Sequence, residues 1–213
     1  MTLISINDPS SQQAEAFRTL RTNLSFYSLD NPIQSIVITS PVPDSEVATT
    51  AANLAVTMAQ GGKKTVLVEA DLRRPSINQL FNVKQQPGLT DALIAADGEL
   101  PLQSSGVENL KILTGGQQAP NPADLLGSGA IKQLVDQLLT DNDILIFNAP
   151  PVNAVSDAAV LGSRLDGVLL VINSGSTSRD QATQAKETLA QANVRIIGAT
   201  LINAATEAGF GDY

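Results

Sequence analysis

Short runs of aliphatic and β-branched residues recur along the chain, and polar or alanine-rich segments separate them. Several of these runs are apolar throughout, which is typical of strands covered on both faces. We therefore predict strands at residues 36–38, 65–68, 110–113, 144–147, 168–172 and 194–202.

Helical patterns fill the intervals between these runs. Ala182, Ala185, Leu189 and Ala192 recur at helical spacing, so they lie on one face of a helix. Residues 48–59 are apolar nearly all round, which predicts a buried helix. The alternation predicts an α/β fold, with a single mostly parallel sheet flanked by helices on both faces. Ligands of such sheets bind beyond the carboxyl ends of the strands.

The whole chain, 1–213, is predicted to be one domain, with a separate N-terminal helix at about residues 10–26. Glu15, Arg18 and Arg21 cluster on one side of that helix. They either form an exposed ion pair of little energetic value or contact another subunit.

Composition removes several function classes. The chain has no histidine and no cysteine, so the commonest general base, the commonest transition-metal ligand and any disulfide are absent. We expect no metal site built from these residues. The net charge of −8 argues against nucleic acid as a partner. No apolar run approaches the roughly 20 residues of a membrane span, and no signal peptide opens the chain. These features predict a cytoplasmic protein.

An ordered series of segments resembles one family. The segments are EAFRTLRTNLSF, VEADLRRP, GLTDALI, NLKILTGG, NPADLL, DILIFNAPPVNAVSDA, VINSGSTSRDQATQA and IIGATLIN. From about Glu15 to Asn203 the chain resembles the cytoplasmic bacterial tyrosine kinases (BY-kinases) of capsule and exopolysaccharide synthesis. The resemblance implies a deviant P-loop fold of the MinD/ParA type, which uses ATP and Mg²⁺, and an N-terminal oligomerisation helix.

The resemblance also assigns roles to residues. Glu15, Arg18 and Arg21 match the family's subunit-contact residues, and Asn203 matches an asparagine near adenine. Thr49 and Thr50 follow the phosphate loop and would lie near a bound nucleotide. Asp71 matches an aspartate of the Walker A′ segment that serves metal handling and tyrosine activation. Asp71 would otherwise cap the following helix.

The phosphate loop departs from the family pattern in the stretch SPVPDSEVATTAANLA. Asp44 and Glu46 stand where the family has glycines, Val47 stands in place of the lysine, and Ala48 in place of the magnesium-binding hydroxyl. A P-loop needs glycines and a lysine so that backbone N–H groups and a cation approach the phosphates. A unit charge pair at ~4 Å is worth about 4 kcal/mol at an effective dielectric constant of ~20. The substitutions therefore predict a large loss of nucleotide affinity.

Two further positions depart from the pattern. Asn148 replaces the Walker B aspartate, and Glu69 replaces the first aspartate of Walker A′. The family's run of closely spaced terminal tyrosines is reduced here to Tyr213, and the other tyrosine is Tyr27.

Together these features predict a degenerate kinase-like scaffold or regulator in capsular or exopolysaccharide biosynthesis, with nucleotide binding lost or strongly weakened. We expect no cofactor on this hypothesis. The alternative is an active tyrosine kinase or ATPase that uses ATP and Mg²⁺ through an unusual loop or a partner-completed site. The expected partners are a membrane-anchored polysaccharide co-polymerase or adaptor, an active paralogous kinase and further copies of the chain. Such an adaptor would hold the protein at the inner face of the membrane.

Overall fold

Strands and helices alternate along the chain, as the apolar runs predict. The computed structural model describes residues 3–30, 33–44, 46–95 and 98–204. The strands in these ranges are β1 (Ser35–Thr39), β2 (Thr65–Glu69), β3 (Gln103–Ser104), β4 (Leu110–Leu113), β5 (Ile144–Asn148), β6 (Gly167–Asn173) and β7 (Ile196–Ile202). The helices are α1 (Ile4–Asn7), α2 (Gln12–Asp30), α3 (Glu46–Gln60), α4 (Ile77–Phe81), α5 (Leu89–Ala95), α6 (Pro122–Leu126), α7 (Gly129–Asp141), α8 (Asp157–Gly162) and α9 (Arg179–Gln191).

One sheet of strand order β3-β4-β2-β5-β1-β6-β7 contains all of these strands. Every neighbouring pair is parallel except β3 and β4, which are antiparallel. β1 lies inside the sheet, where Ile36 is the register partner of Ile146 on one side and of Gly167 on the other. The carboxyl ends of β1, β2, β5 and β6 therefore meet at one edge, which is where sheets of this kind bind ligands.

Both faces of the sheet are covered, because successive strand side chains point to opposite faces. Ile36 and Ile146 face a core that includes α3, whose Leu54 is fully buried. Val37 and Phe147 face a second core, which includes residues of α5 to α9. The predicted buried helix at 48–59 is therefore confirmed as α3, with bounds two residues earlier and one residue later.

The N-terminal helix is confirmed as α2, which packs against α3. It begins at Gln12, and Ser11 accepts the backbone N–H of Ala14 through its hydroxyl. It continues to Asp30, four residues beyond the predicted end at 26. Within the part of the chain that the structure describes, no helix combines the length and apolar character that crossing a membrane requires.

Candidate functional site

The loop between β1 and α3 carries its own carboxylate at the start of the helix. The Asp44 Oδ1 atom accepts the backbone N–H of Glu46 at 2.9 Å. Its Oδ2 atom accepts the side-chain amide of Asn173 at 2.8 Å, and Asn173 ends β6. A carboxylate at a helix N-terminus is favourable because it satisfies free N–H groups and the helix dipole. Asp44 thus connects two of the loops at the carboxyl edge of the sheet.

The next residues of the loop are apolar and packed. Val47 and Ala48 are only 6% and 8% exposed, and both belong to the core that includes α3. Thr49 is half-buried and Thr50 is buried in the first turns of α3. Position 47, where the resemblance implies a lysine, therefore holds an aliphatic side chain that contributes to the core.

Glu69 and Asn148 form the buried polar centre of the site. They end the neighbouring strands β2 and β5 and are register partners. The Asn148 amide donates to Glu69 Oε1 at 2.7 Å. Glu69 also accepts the backbone N–H groups of Asp71, Ser76 and Ile77 at 3.1, 2.7 and 2.9 Å. The carboxylate thereby fixes the loop from β2 to α4.

Burial raises the pKa of Glu69 from 4.5 to about 7. The hydrogen bonds from Ile77, Ser76 and Asn148 lower it, and the charge of Asp71 raises it further. Burial therefore outweighs the donors. Asn148 Oδ1 is buried and has no hydrogen-bond partner within the described residues.

Asp71 closes a turn and does not cap a helix. Its Oδ1 atom accepts the backbone N–H groups of Arg73 and Arg74 at 3.2 and 2.9 Å, whereas α4 begins only at Ile77. The capping alternative for Asp71 is therefore wrong. Burial raises the pKa of Asp71, and the two backbone N–H groups oppose that rise.

Arg73 joins this turn to α8. Its Nε atom lies 2.8 Å from Asp157 Oδ2, and its Nη2 atom lies 3.1 Å from Asp157 Oδ1. Asp157 is fully buried at the first position of α8. A bidentate arginine–carboxylate pair fixes both geometry and charge. The hydrogen bond that Arg73 donates to Asp157 raises the pKa of Arg73.

A pocket of about 470 Å³ lies between these elements. Its volume falls within the range of small-molecule sites. The polar groups on its wall include Asp44, Asp71, Arg74 and Asn148. Its apolar wall comes from the phosphate loop and from the segment after β5, namely Pro43, Val47, Ala48, Ala149, Pro150, Pro151, Ala154 and Val155.

The structure brings together only part of the predicted site. Asp71 lines the pocket, but Thr49, Thr50 and Asn203 are not among its lining residues. Asn203 is exposed just after β7 and has a left-handed backbone with φ 55°. Asn173 was not predicted as a site residue, although a polar residue at the end of an apolar strand can indicate one.

The three residues assigned to the subunit interface make contacts within the chain. Arg18 Nε lies 2.6 Å from Glu15 Oε2, and Arg18 Nη1 donates to the carbonyl oxygen of Pro9 at 2.8 Å. Arg21 Nη1 donates to the carbonyl oxygen of Thr57 at 2.8 Å, which ties α2 to α3. Their role in assembly stays a prediction. Tyr213 lies outside the described residues.

Comparison with known proteins gives consistent matches. Residues 46–204 match the family model described as "ParA: NUBPL iron-transfer P-loop NTPase". The tyrosine-protein kinase YwqD of Bacillus subtilis is 42% identical over 93% of this chain and 84% of its own length. The crystal structure of the chimerical protein CapA2B2 has a TM-score of 0.91 at 36% identity, covering 96% of this chain and 90% of the other. The kinase domain of Escherichia coli tyrosine kinase ETK has a TM-score of 0.90 at 33% identity, covering 100% of this chain and 84% of the other.

These matches correct one expectation from the sequence. That the protein would take no cofactor is wrong, because the matched family is one of P-loop NTPases, which bind ATP and Mg²⁺. The expectation rested on the phosphate loop and on positions 69 and 148, whereas the pocket at the strand ends is also lined by the segments that follow β2 and β5. Fold, family model and relatives agree, and the chain belongs to the bacterial tyrosine kinases, within the ParA-type P-loop NTPases.

Proposed function

We propose that the protein is a scaffold or regulator in capsular or exopolysaccharide biosynthesis, with phosphoryl transfer and nucleotide affinity strongly weakened relative to active kinases of its family. The observation that carries this proposal is the position of Asp44. Its carboxylate accepts the Glu46 N–H and the Asn173 amide at the mouth of the phosphate loop. The loop therefore presents a fixed negative charge where a phosphate would need donors.

The residues of the loop do not fit the phosphates of a nucleotide. A phosphate-binding loop offers backbone N–H groups and a cation. Here one N–H at the start of α3 already donates to Asp44, and Val47 offers a buried aliphatic side chain. Asp44 and the exposed Glu46 add two negative charges near the same helix N-terminus. Charge repulsion and the missing donors therefore both lower the affinity of the loop for a nucleotide.

The residues that the resemblance assigns to magnesium handling also fit a magnesium ion poorly. Glu69 uses its carboxylate to accept three backbone N–H groups and the Asn148 amide, so it is committed to structure. An amide at position 148 carries no charge with which to orient a metal-bound water. Asp71 is the acidic residue of this set that still lines the pocket.

Family membership supports the biological setting. The relatives are named tyrosine-protein kinases, and one structural neighbour is a chimeric protein named CapA2B2. We propose a membrane-anchored adaptor of polysaccharide export as the partner, and an active paralogous kinase as the enzyme that the scaffold regulates. Helix α2 lies outside α3 and offers Glu15, Arg18 and Arg21 for contacts between copies.

A four-residue reversion tests the proposal. The variant combines Asp44→Gly, Glu46→Gly, Val47→Lys and Ala48→Ser. We expect it to bind Mg-ATP about 100-fold more tightly than the parent in calorimetric titration, which corresponds to about 3 kcal/mol. Asp44→Asn alone is the matched control, since it removes charge from the loop but supplies neither glycine nor lysine.

Two results would contradict the proposal. One is a parent that binds Mg-ATP as tightly as the reverted variant. The other is a parent that phosphorylates a tyrosine peptide at the rate of an active relative, alone or with an adaptor. The second result would support the alternative of an active kinase with an unusual or partner-completed loop.

A further inference from the structure

Tyr27 and Arg195 form a contact far from the pocket just described. Tyr27 lies in the last turn of α2, and its side chain is at the surface, with the residue 38% exposed. The guanidinium carbon of Arg195 lies 5.0 Å from the centre of the Tyr27 ring. Arg195 Nε donates to the Tyr27 hydroxyl at 3.3 Å, which is long for a hydrogen bond. The pair joins the end of α2 to the start of β7.

Arg195 has donor capacity that the hydroxyl does not use. Its Nη2 atom is buried and has no hydrogen-bond partner within the described residues. No carboxylate in those ranges lies within ion-pair distance of this guanidinium. Its backbone is held in the sheet, because the Arg195 carbonyl oxygen accepts the N–H of Val168 at 2.8 Å. An arginine with a fixed backbone and an unused donor beside the Tyr27 hydroxyl is well placed to receive an anion bound there.

We propose that Tyr27 is phosphorylated by a protein-tyrosine kinase of the same family, and that Arg195 receives the phosphate. The new bond joins the Tyr27 hydroxyl oxygen to the γ-phosphorus of ATP, and the bond between that phosphorus and the β,γ-bridging oxygen breaks. The phenol proton passes to the base of the kinase, and ADP leaves. This inference concerns the protein as a substrate and does not depend on its own nucleotide affinity.

At the end of α2, phosphorylation of Tyr27 requires that a kinase can reach the hydroxyl and that a cation compensates the charge of the phosphate. A kinase reaches the hydroxyl when the last helical turn opens, and helix ends open at low cost compared with global unfolding. A phosphate at a helix C-terminus is unfavourable because of the helix dipole. Arg195 offsets that repulsion by donating charge-assisted hydrogen bonds from Nε and Nη2. Phosphorylation would then tighten the contact between α2 and β7.

The first experiment uses the fact that the sequence has only two tyrosines, Tyr27 and Tyr213. The Tyr213→Phe variant is incubated with an active BY-kinase and Mg-ATP, and the intact protein is weighed by mass spectrometry. We expect the mass of one added phosphoryl group on this variant and none on the double variant with Tyr27→Phe. An unmodified Tyr213→Phe variant, under conditions in which the kinase fully modifies a tyrosine peptide, would overturn the site.

The second experiment tests the role of Arg195 in the Tyr213→Phe background. Phosphorylation is expected to raise the melting temperature by about 2 °C or more. With Arg195→Gln, phosphorylation is expected to lower it, because the helix-end repulsion is then uncompensated. Arg179→Gln on α9, an exposed arginine, is the matched control and should keep the rise. An equal shift with and without Arg195 would overturn its assignment as the phosphate receiver.

Discussion

Glu69 and Asn148 interact directly at the centre of the site. The Asn148 amide donates to Glu69 Oε1 at 2.7 Å, and both side chains are buried. An aspartate at 148 would place a second carboxylate against Glu69, and like charges at that distance cannot both ionise in a buried site. The Asn148 amide instead donates a hydrogen bond to the Glu69 carboxylate without adding a second charge.

The raised pKa of Glu69 predicts a pH-dependent stability. Its folded pKa of about 7 exceeds the ordinary value of 4.5, so the folded state binds the proton more tightly than the unfolded state does. The contribution is fully present below pH 4.5 and is lost as the pH rises through about 7. We expect the unfolding free energy to fall by on the order of 3 kcal/mol across that window. Urea unfolding at a series of pH values measures this fall.

Glu69→Gln is the control for this effect. Glutamine keeps the size and the acceptor oxygen but does not titrate in the window, so most of the slope should vanish. A smaller slope of the same sign remains from Asp71, whose pKa is also raised. Parallel pH profiles of parent and variant would show that Glu69 does not titrate as proposed.

At the residue scale, the family resemblance pointed to individual positions of the site but not to the interactions between them. Asp44, Glu46, Val47, Ala48, Glu69 and Asn148 were each identified by comparison with the family pattern. The bond between Glu69 and Asn148 could not be predicted, because it depends on the register of β2 and β5. The Asn173 amide on Asp44 joins residues far apart in sequence, and no local pattern marks that pairing.

The contact between the turn after β2 and helix α8 depends on one ion pair. Arg73 holds Asp157 in a bidentate geometry, and Asp157 is fully buried whereas the Arg73 side chain is 43% exposed. Removing one partner of a buried pair is costly, because the remaining charge is left without compensation. The pairing of Arg73 with Asp157 could not be predicted from the sequence, because it arises only when β2 and β5 become neighbours.

Arg73→Ala is therefore expected to lower the unfolding free energy by about 2 to 4 kcal/mol, because it leaves Asp157 buried and unpaired. Arg74→Ala is the matched control. Arg74 is exposed and forms no ion pair within the described ranges, so its loss should change stability by about 0.5 kcal/mol or less. Chemical denaturation of the two variants at one pH decides the question. Equal effects would mean that the ion pair does not hold the turn to α8.

The elements with a strong hydrophobic pattern were predicted from the sequence, and those without one were missed. The six long apolar runs were predicted as strands and are confirmed, because strands covered on both faces need continuous apolar sequence. The strand β3 was missed, since it has two polar residues and lies at the edge of the sheet. The short helix α1 was also missed, because one helical turn carries no periodicity.

Assembly of several copies is the prediction that concerns the whole molecule. We expect the chain to self-associate through α2, and the double variant Arg18→Ala/Arg21→Ala to have a lower mass in light scattering after size-exclusion chromatography. Asn23→Ala is the matched control, because Asn23 is exposed on the same helix and its variant keeps both arginines.

Arg21 also ties α2 to Thr57, so the thermal melting of the double variant must be checked in parallel. An unchanged mass for an oligomeric parent would assign both arginines to contacts within one chain only. A monomeric parent at high concentration would contradict assembly by the chain alone.

The central place of β1 also constrains the order in which the chain can fold. β1 is the first strand of the described chain to leave the ribosome, yet its two neighbours, β5 and β6, are the fifth and sixth of the seven described strands to be made. β2 cannot share a native sheet with β1 until β5 fills the space between them. Such non-local pairing slows folding. Nascent or truncated chains that end before β6 therefore carry an unpaired apolar edge on β1, and such an edge templates aggregation.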